Sequence, residues 1–215
     1  MAARLEDNLY TTLKGAILDG SFSVDAPMRE VALSEQYGVS RTPVREALNR
    51  LLHDSLLERR GRGLYVRSVP LEDVLQIYEL RILLEGEAAA QAAESRRQSD
   101  LIALDLLVER DKALVDPSDE ERTRTNLEFH EAVWTATNNR ILTDILERLR
   151  THLIHAPMST LSTPGRWDEA IEEHQSLVDA LRARDVEAAR TIAQDHMRTA
   201  RNLRIRLLTQ SQMSR

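Results

Sequence analysis

The sequence contains no cysteine among its 215 residues, which excludes a disulfide framework and a thiolate metal site. Aromatic residues make up only 4% of the chain, and there are only 7 glycines and 6 prolines. No apolar run approaches the length that a membrane-spanning helix needs, and the first residues lack the apolar core of a signal peptide. We therefore expect a mostly helical, soluble protein of the cytoplasm with no membrane partner.

The positive charge is concentrated in one stretch of the chain. The whole sequence has 29 basic and 35 acidic residues, a formal net charge of −6. Residues 40–67 instead contain seven arginines and three acidic residues. Because proteins that bind nucleic acid present a basic surface to the phosphates, this stretch is the candidate for a DNA contact.

Residues 38–53, GVSRTPVREALNRLLH, have the pattern of the recognition helix of a helix-turn-helix. Gly38 supplies a turn, Ser40 offers a side-chain oxygen as an N-cap, and Pro43 suits a first helical turn. Val44, Ala47, Leu48, Leu51 and Leu52 form one apolar face. The polar positions off that face are Arg41, Thr42, Arg45, Asn49 and Arg50, and we expect Arg50 to be among the DNA contacts. We expect Arg41 and Arg45, four residues apart, to recognise base edges; the alternative is an ordinary surface helix with solvated arginines.

The flanking segments predict a winged helix-turn-helix domain over residues 1–69. Helical spacing predicts a first helix at 3–19 and a short second helix that starts near Met28. After the recognition helix, two short β-capable runs surround a glycine-containing turn, which predicts a hairpin. The tip of this wing has three arginines that are placed for phosphate contacts, Arg59, Arg60 and Arg62.

Residues 70–215 predict a second, all-helical domain, because the composition changes at Pro70 and no series of strands follows. Turn and capping residues divide it into six helices, at 71–93, 98–114, 119–137, 140–157, 165–183 and 186–210. Antiparallel helices with short loops form a bundle. The apolar positions that we assign to its core include Leu80, Leu83, Leu84, Leu104, Leu107 and Ile145.

Three histidines of this bundle are placed to meet. Asn126 and His130 are four residues apart and project from one face of a helix. His174 and His196 lie at similar distances before and after the tight turn near Arg184, so they reach similar heights. Three imidazoles with open coordination positions suit a divalent transition metal. The alternative is that they are unrelated polar residues on helix faces.

The segment SEQYGVSRTPVREALNRLLHDSLLERRGRGLYV resembles the DNA-binding module of the GntR family of bacterial transcription regulators. The resemblance implies a dimeric repressor or activator on a palindromic double-stranded operator, with repression the more frequent arrangement. It assigns DNA contacts to Ser40, Arg41, Thr42, Arg45 and the wing at Gly61, Arg62 and Gly63. The chain has VDAPM where the family usually has a Pro-Gly turn, which alters a loop and no contact residue.

The second domain resembles the FCD effector domain of the FadR-like branch of that family. The resemblance rests on the run NLEFH at 126–130 and on an E-H…D…A…H run that ends at His196. It implies a divalent metal, zinc first and nickel or manganese as alternatives, held by Asn126, His130, His174 and His196. Asn126 is a departure, because the family usually has aspartate there and an amide brings no negative charge to the cation.

The resemblance also implies a small organic acid as effector and a homodimer. Arg81 is a candidate partner for the effector carboxylate, or else it forms a surface salt bridge with Glu85. Arg150 and His152 are candidates to line the same cavity. We therefore expect a ligand-responsive transcription regulator and not an enzyme. The alternatives are a metal-dependent hydrolase or isomerase and an architectural DNA-binding dimer with a vestigial pocket.

Overall fold

The computed structural model of the chain describes residues 2–18, 21–23, 25–67, 71–153 and 159–213. Within these ranges it has nine α-helices, one short 3₁₀-helix and two β-strands, which confirms the mainly helical class. Contacts group residues 1–70 and 150–157 in one compact unit and residues 71–149 and 158–215 in a second. The predicted boundary at 68–70 lies outside the described residues. None of the described helices is both long and apolar enough to cross a membrane.

The first unit has the predicted winged helix-turn-helix. Its elements are α1 (Ala2–Leu18), α2 (Glu30–Tyr37), α3 (Arg41–His53), β1 (Leu57–Arg60) and β2 (Gly63–Val66). The two strands pair antiparallel, with Arg60 opposite Gly63. Gly61 occupies the two-residue loop between them with a φ of 58°, a conformation that favours glycine.

The apolar face of α3, the recognition helix, is confirmed. Val44, Ala47, Leu48 and Leu51 are at most 1% exposed and pack in one cluster with apolar residues of α1. Ser40 occupies the N-cap position, but its side chain makes no capping hydrogen bond, so that part of the prediction is wrong. The third helical residue is Pro43, which has no N–H for the Ser40 oxygen to accept.

A segment that the sequence did not mark as extended pairs with the wing. The Met28 N–H donates to the Leu64 carbonyl at 2.8 Å, and the Val66 N–H donates to the Ala26 carbonyl at 3.0 Å. This pairing holds the chain against β2 two residues before α2 begins. The first residue of α2, Glu30, is therefore placed by backbone hydrogen bonds to a neighbouring element.

The six predicted helices of the second domain are all found in the described residues. They are α4 (Leu71–Ser95), α5 (Gln98–Ala113), α6 (Asp119–Ala136), α7 (Arg140–Leu153), α8 (Arg166–Ala183) and α9 (Val186–Met213). The Ser118 and Asp185 side chains cap α6 and α9 by accepting from the N–H groups of Glu121 and Ala188. A 3₁₀-helix, Thr160–Ser162, was not predicted. Residues 154–157 of the predicted fourth helix lie outside the described part of the chain.

Part of the predicted core of this bundle is exposed. Leu104 is fully buried, but Leu80, Leu83 and Ile145 are 49%, 61% and 42% exposed, so their assignment to the core is wrong. Periodicity identifies an apolar face of a helix but not the surface that covers it. Ile141 is also 69% exposed, so both α4 and α7 present large apolar side chains to the surface. The two helices adjoin through a buried cluster that includes Ala88, Trp134, Leu142 and Leu146.

Candidate functional site

The fold brings His130, His174 and His196 together from α6, α8 and α9. Each residue is at most 6% exposed. The ring centroids are 5.1 to 5.5 Å apart, and one nitrogen from each ring lies within 4.8 Å of the others. The predicted meeting of three imidazoles is therefore present, and we call these residues the histidine cluster.

Three atoms at the predicted ligand positions are buried and have no hydrogen-bond partner among the described residues. They are Nε2 of His130, Nε2 of His174 and Oδ1 of Asn126. Leaving a buried polar atom unpaired costs free energy, so two such nitrogens on neighbouring rings point to a partner that the chain itself does not supply. A cation that accepts lone pairs from the histidine cluster would satisfy both imidazole nitrogens, so these donors fit a metal such as zinc. Asn126 is not among the residues that line the cavity beside the cluster.

The Nδ1 nitrogen of His196 contacts the carboxylate of Glu173. Its Nδ1 lies 2.6 Å from Oε2 of Glu173, and Nη2 of Arg166 donates to the same oxygen at 2.6 Å. This carboxylate favours a hydrogen on Nδ1 and leaves the Nε2 lone pair for a ligand bond. Burial alone would raise the pKa of Glu173, but the hydrogen bonds from His196 and Arg166 lower it to about 2.

His130 has a similar neighbour in a second buried group. Its Nδ1 is 3.5 Å from Oε2 of Glu85. The Glu85 carboxylate accepts hydrogen bonds from Arg81 at 2.6 Å and from the Trp134 indole at 2.7 Å. Arg81 thus pairs with Glu85, as the alternative to an effector contact predicted. The pair is buried in the bundle, however, and does not lie on its surface.

Burial keeps the other imidazoles neutral. It lowers the pKa of His174 well below its usual value, and the neighbouring His196 and His130 add to this effect. Burial also lowers the pKa of His196 to about 4, although Glu173 acts in the opposite direction. Phe129 stacks on the His174 ring with the centroids 3.8 Å apart and fixes its plane. Neutral imidazoles have the free lone pair that a metal ligand requires.

A small cavity of about 10 Å³ adjoins the histidine cluster. Among the described residues it is lined by the three histidines and by Glu85, Val133, Glu173, Leu177, Ile192 and Ala193. Arg81 and Arg150 are not among these lining residues. The side chain of His152 lies outside the described part of the structure, so its assignment stays a prediction.

Sequence reasoning missed Arg166, which is 2% exposed and lies beside the cluster. Its Nε and Nη1 atoms are buried without a hydrogen-bond partner in the described structure. Arg166 lies seven residues before Glu173, so both are on one face of α8 two turns apart. That spacing was the available signal, but it is common in helices and does not indicate burial.

In the first unit, the two arginines expected to recognise bases extend from the start of α3. The Arg41 and Arg45 side chains are 62% and 59% exposed. Both donate to the carboxylate of Glu30, Arg45 through Nε and Nη2 at 2.9 Å each and Arg41 through Nη2 at 3.3 Å. The pKa of Glu30 is lowered, chiefly by the Arg45 hydrogen bonds. Sequence reasoning missed Glu30, because the contact joins two different helices.

The remaining predicted DNA contacts differ in their surroundings. Arg50 and Arg60 already have partners, since the Arg50 guanidinium lies 4.0 Å from the ring centroid of Tyr10 and Arg60 pairs with Asp25 and Glu58. Gly63 is half-buried in β2, and a Cβ added there would be 2.8 Å from the Tyr65 ring. Ser40, Thr42, Gly61 and Arg62 are exposed, as are Arg50 and Arg60 despite their partners.

Two family models match the chain and together cover most of it. The model of bacterial regulatory proteins of the gntR family matches residues 5–66. The FCD domain model matches residues 76–199, which contain all the residues of the histidine cluster. GntR regulators bind DNA operators, and some FCD domains bind a metal.

Several known proteins are similar to this chain over most of their length. The uncharacterized HTH-type transcriptional regulator YdhC of Bacillus subtilis is 30% identical over 184 residues, which cover 84% of this chain and 82% of that protein. The putative L-lactate dehydrogenase operon regulatory protein of Escherichia coli is 26% identical and covers 90% of this chain and 84% of its own length. The solved structure of E. coli McbR/YncC has a TM-score of 0.75 at 29% identity, over 90% of this chain and 93% of that one.

These relatives are transcription regulators and not enzymes, which confirms that prediction and removes the hydrolase or isomerase alternative. The resemblance on which the sequence analysis relied is also confirmed. The chain belongs to the GntR family of bacterial transcription regulators and combines a GntR DNA-binding domain with an FCD domain.

Proposed function

We propose that this protein is a cytoplasmic, homodimeric repressor that leaves its operator when a small organic acid binds at a metal in the FCD domain. The observation that carries this proposal is the set of three buried atoms without partners on Asn126, His130 and His174. An architectural DNA-binding protein with a vestigial pocket has no reason to retain such a costly donor set.

The DNA-binding part of the proposal assigns base recognition to the start of α3. Ser40, Arg41, Thr42 and Arg45 are exposed there, and the N-terminal residues of a recognition helix enter the major groove. Arginine pairs with the O6 and N7 atoms of guanine through two N–H groups. Arg59 and Arg62 are exposed near the tip of the wing, where they supply phosphate contacts that depend on salt.

His130, His174 and His196 would hold the metal, with zinc the first candidate, and Asn126 would add an amide oxygen. When bound, a divalent ion supplies a Lewis-acidic anchor for a carboxylate. Glu173 and Glu85 orient His196 and His130 from behind and fix which nitrogen faces the ion. These two residues therefore position the ligands without occupying ligand positions.

The charges around the histidine cluster favour an anionic effector. The two carboxylates beside the cluster, Glu85 and Glu173, are each paired with a buried arginine. Asn126 contributes no charge, so the protein leaves the charge of a divalent ion uncompensated. A carboxylate supplies the missing negative charge. One relative is named as a putative regulator of an L-lactate dehydrogenase operon, and lactate belongs to the class of small organic acids that we propose for this chain.

The size of the cavity connects effector binding to a structural change. About 10 Å³ beside the cluster admits a group no larger than a water molecule. An organic acid must therefore displace side chains of α6, α8 or α9. A ligand that binds one arrangement of these helices better than another shifts the population between them. In a dimer, a shift that alters the spacing of the two recognition helices weakens operator binding.

We assign the homodimer interface to the apolar patch of Leu80, Leu83, Ile141 and Ile145. These side chains are 42% to 69% exposed and lie on two helices that adjoin through a buried cluster. Large exposed apolar side chains on adjoining helices mark an interaction site more often than they remain in water. A palindromic operator requires two copies related by a twofold axis, and one patch on each copy provides a self-complementary contact.

Replacing both Leu83 and Ile141 with arginine should convert the dimer to a monomer. Light scattering after gel filtration measures the mass, and we expect at least a 100-fold loss of operator affinity because the second recognition helix no longer binds with the first. Leu106→Arg is the matched control, because Leu106 is an apolar residue of α5 that is 66% exposed and lies outside the patch. A dimeric double variant, or dissociation of the control instead, would contradict the assignment.

The proposed function is tested by whether a small carboxylate changes DNA affinity. The probe is a fluorescent duplex that the full-length protein has selected from random sequences. We expect one member of a panel of hydroxy acids, dicarboxylic acids and sugar acids to weaken binding at least tenfold in an anisotropy titration with zinc present. An entire panel without effect would favour the architectural alternative.

A further inference from the structure

The Glu30–Arg45 ion pair uses only one side of the arginine. Glu30 accepts from Nε and from Nη2, which are the two donors on the lateral edge of the guanidinium. A guanidinium has five N–H groups, so Nη1 and the second N–H of Nη2 remain on the terminal edge. No described residue accepts a hydrogen bond from that terminal edge of Arg45.

The terminal edge is the one that matches a guanine. The O6 and N7 atoms of guanine accept two parallel N–H groups from an arginine in the major groove. Arg45 can therefore keep both hydrogen bonds to Glu30 while its terminal edge binds a base. The ion pair in the DNA-free protein does not have to break when DNA arrives.

Glu30 itself is firmly placed. It is the first residue of α2, where the helix dipole favours a carboxylate. The backbone hydrogen bonds of Ala26 and Met28 to the wing hold the chain immediately before it. Its side chain is 28% exposed, about half the exposure of the two arginines that it contacts. An exposed arginine otherwise samples many rotamers, and ordering it in advance lowers the cost of binding.

The charge of Glu30 has a second consequence at a DNA surface. A carboxylate near the phosphates weakens binding to every sequence, whereas its contacts with Arg45 help only where the correct base accepts from that arginine. A residue with these two effects lowers affinity for DNA in general and raises the preference for one sequence. This combination favours discrimination between sequences over tight binding.

We propose that Glu30 is a positioning residue that orients Arg45, and with it Arg41, for base recognition and so sets the specificity of the operator contact. This inference rests on the proposed function, in which the start of α3 enters the major groove. It adds a residue of α2, outside the recognition helix, to those that determine which sequence is bound. A competing role for Glu30, as a carboxylate that merely blocks the arginines until DNA displaces it, predicts different measurements.

The test compares two duplexes at one fixed salt concentration. One duplex is selected from random sequences by the wild-type full-length protein, and the other is a scrambled duplex of the same base composition. The variants are Glu30→Gln, Arg45→Ala, the double variant and Glu35→Gln. Glu35 is exposed on α2, so its change removes the same charge without touching the arginines. The thermal midpoint of each protein identifies any variant that fails to fold. Glu30→Ala is a second variant without the carboxylate, in case Glu30→Gln fails to fold.

We expect Glu30→Gln to lower the ratio of the two affinities about tenfold, while affinity for the scrambled duplex stays equal or rises. Glu35→Gln should leave the ratio unchanged, and Glu30→Gln should have no further effect on the ratio in the Arg45→Ala background. An unchanged ratio in Glu30→Gln, with selectivity lost in Arg45→Ala, would overturn the positioning role and leave the proposed function intact. Equal gains on both duplexes would overturn the positioning role in favour of a blocking role. Retained selectivity in Arg45→Ala would overturn both the positioning role and the assignment of base recognition to Arg45.

Discussion

Arg45→Ala should lower the affinity for the selected operator about 10- to 100-fold and reduce the preference for it over scrambled DNA. Arg45 lies in the second turn of α3 with its side chain 59% exposed, and one bidentate contact with guanine contributes roughly 1–3 kcal/mol of discrimination. The measurement is a pair of anisotropy titrations, one on each duplex. The free energy is lost only at the correct base, so binding to scrambled DNA should change much less.

Arg59→Ala provides the contrast, because this exposed arginine of the wing is expected to contact phosphates. Its loss should weaken binding to both duplexes by a similar factor and lower the slope of log affinity against log salt by about 1. The preference between duplexes should be retained. If Arg45→Ala behaves like Arg59→Ala, Arg45 contacts the backbone and the recognition of bases lies elsewhere.

His174→Ala should abolish metal binding by the FCD domain. Three imidazoles are needed to hold a divalent ion of the zinc type with open positions, and loss of one protein ligand lowers affinity at least 100-fold. Metal analysis should find one ion per chain in the untagged wild type and none in the variant. Added zinc should stabilise the wild type by about 4 kcal/mol at a thousandfold excess over its dissociation constant, and the variant by much less.

The wild type and His174→Ala are compared by the shift in thermal midpoint that zinc causes and not by the midpoint itself. His174 is buried against Phe129, so its loss leaves a cavity that lowers stability without any metal. His53→Ala is the matched control, since the His53 side chain is 90% exposed at the end of α3. Asn126→Asp should act in the opposite direction and bind zinc more tightly, because it adds a negative charge to the ligand set. Unchanged zinc binding by His174→Ala would contradict the assignment of the metal site.

Much of the fold followed from local patterns in the sequence. The helices of the bundle begin and end near capping residues, and the apolar spacing of α3 identified the residues that are buried in the first unit. The histidine cluster could also be predicted from the sequence. His174 and His196 lie at similar offsets from a tight turn, so they reach similar positions along two antiparallel helices. Such features depend on residues close in sequence or on a single short connection.

Other features of the sites depend on side-chain contacts between different helices, and no local pattern encodes them. The Glu30–Arg45 pair joins α2 to α3, and the Trp134–Glu85 hydrogen bond joins α6 to α4. The Arg81–Glu85 pair was anticipated from its spacing, but spacing did not show that it is buried. Leu80 and Leu83 illustrate the same limit, since an apolar helical stripe fits a core and a dimer interface equally well.

In the proposed mechanism the effector acts on operator binding through a metal, and one titration tests that connection. Wild-type protein bound to the selected duplex is titrated with the active carboxylate, once after loading with zinc and once after removal of metal by a chelator. We predict release of the duplex by the zinc-loaded protein and an unchanged affinity in the metal-free protein. Equal release in both samples would show that the effector does not act through a metal at the histidine cluster, and would contradict the proposed mechanism.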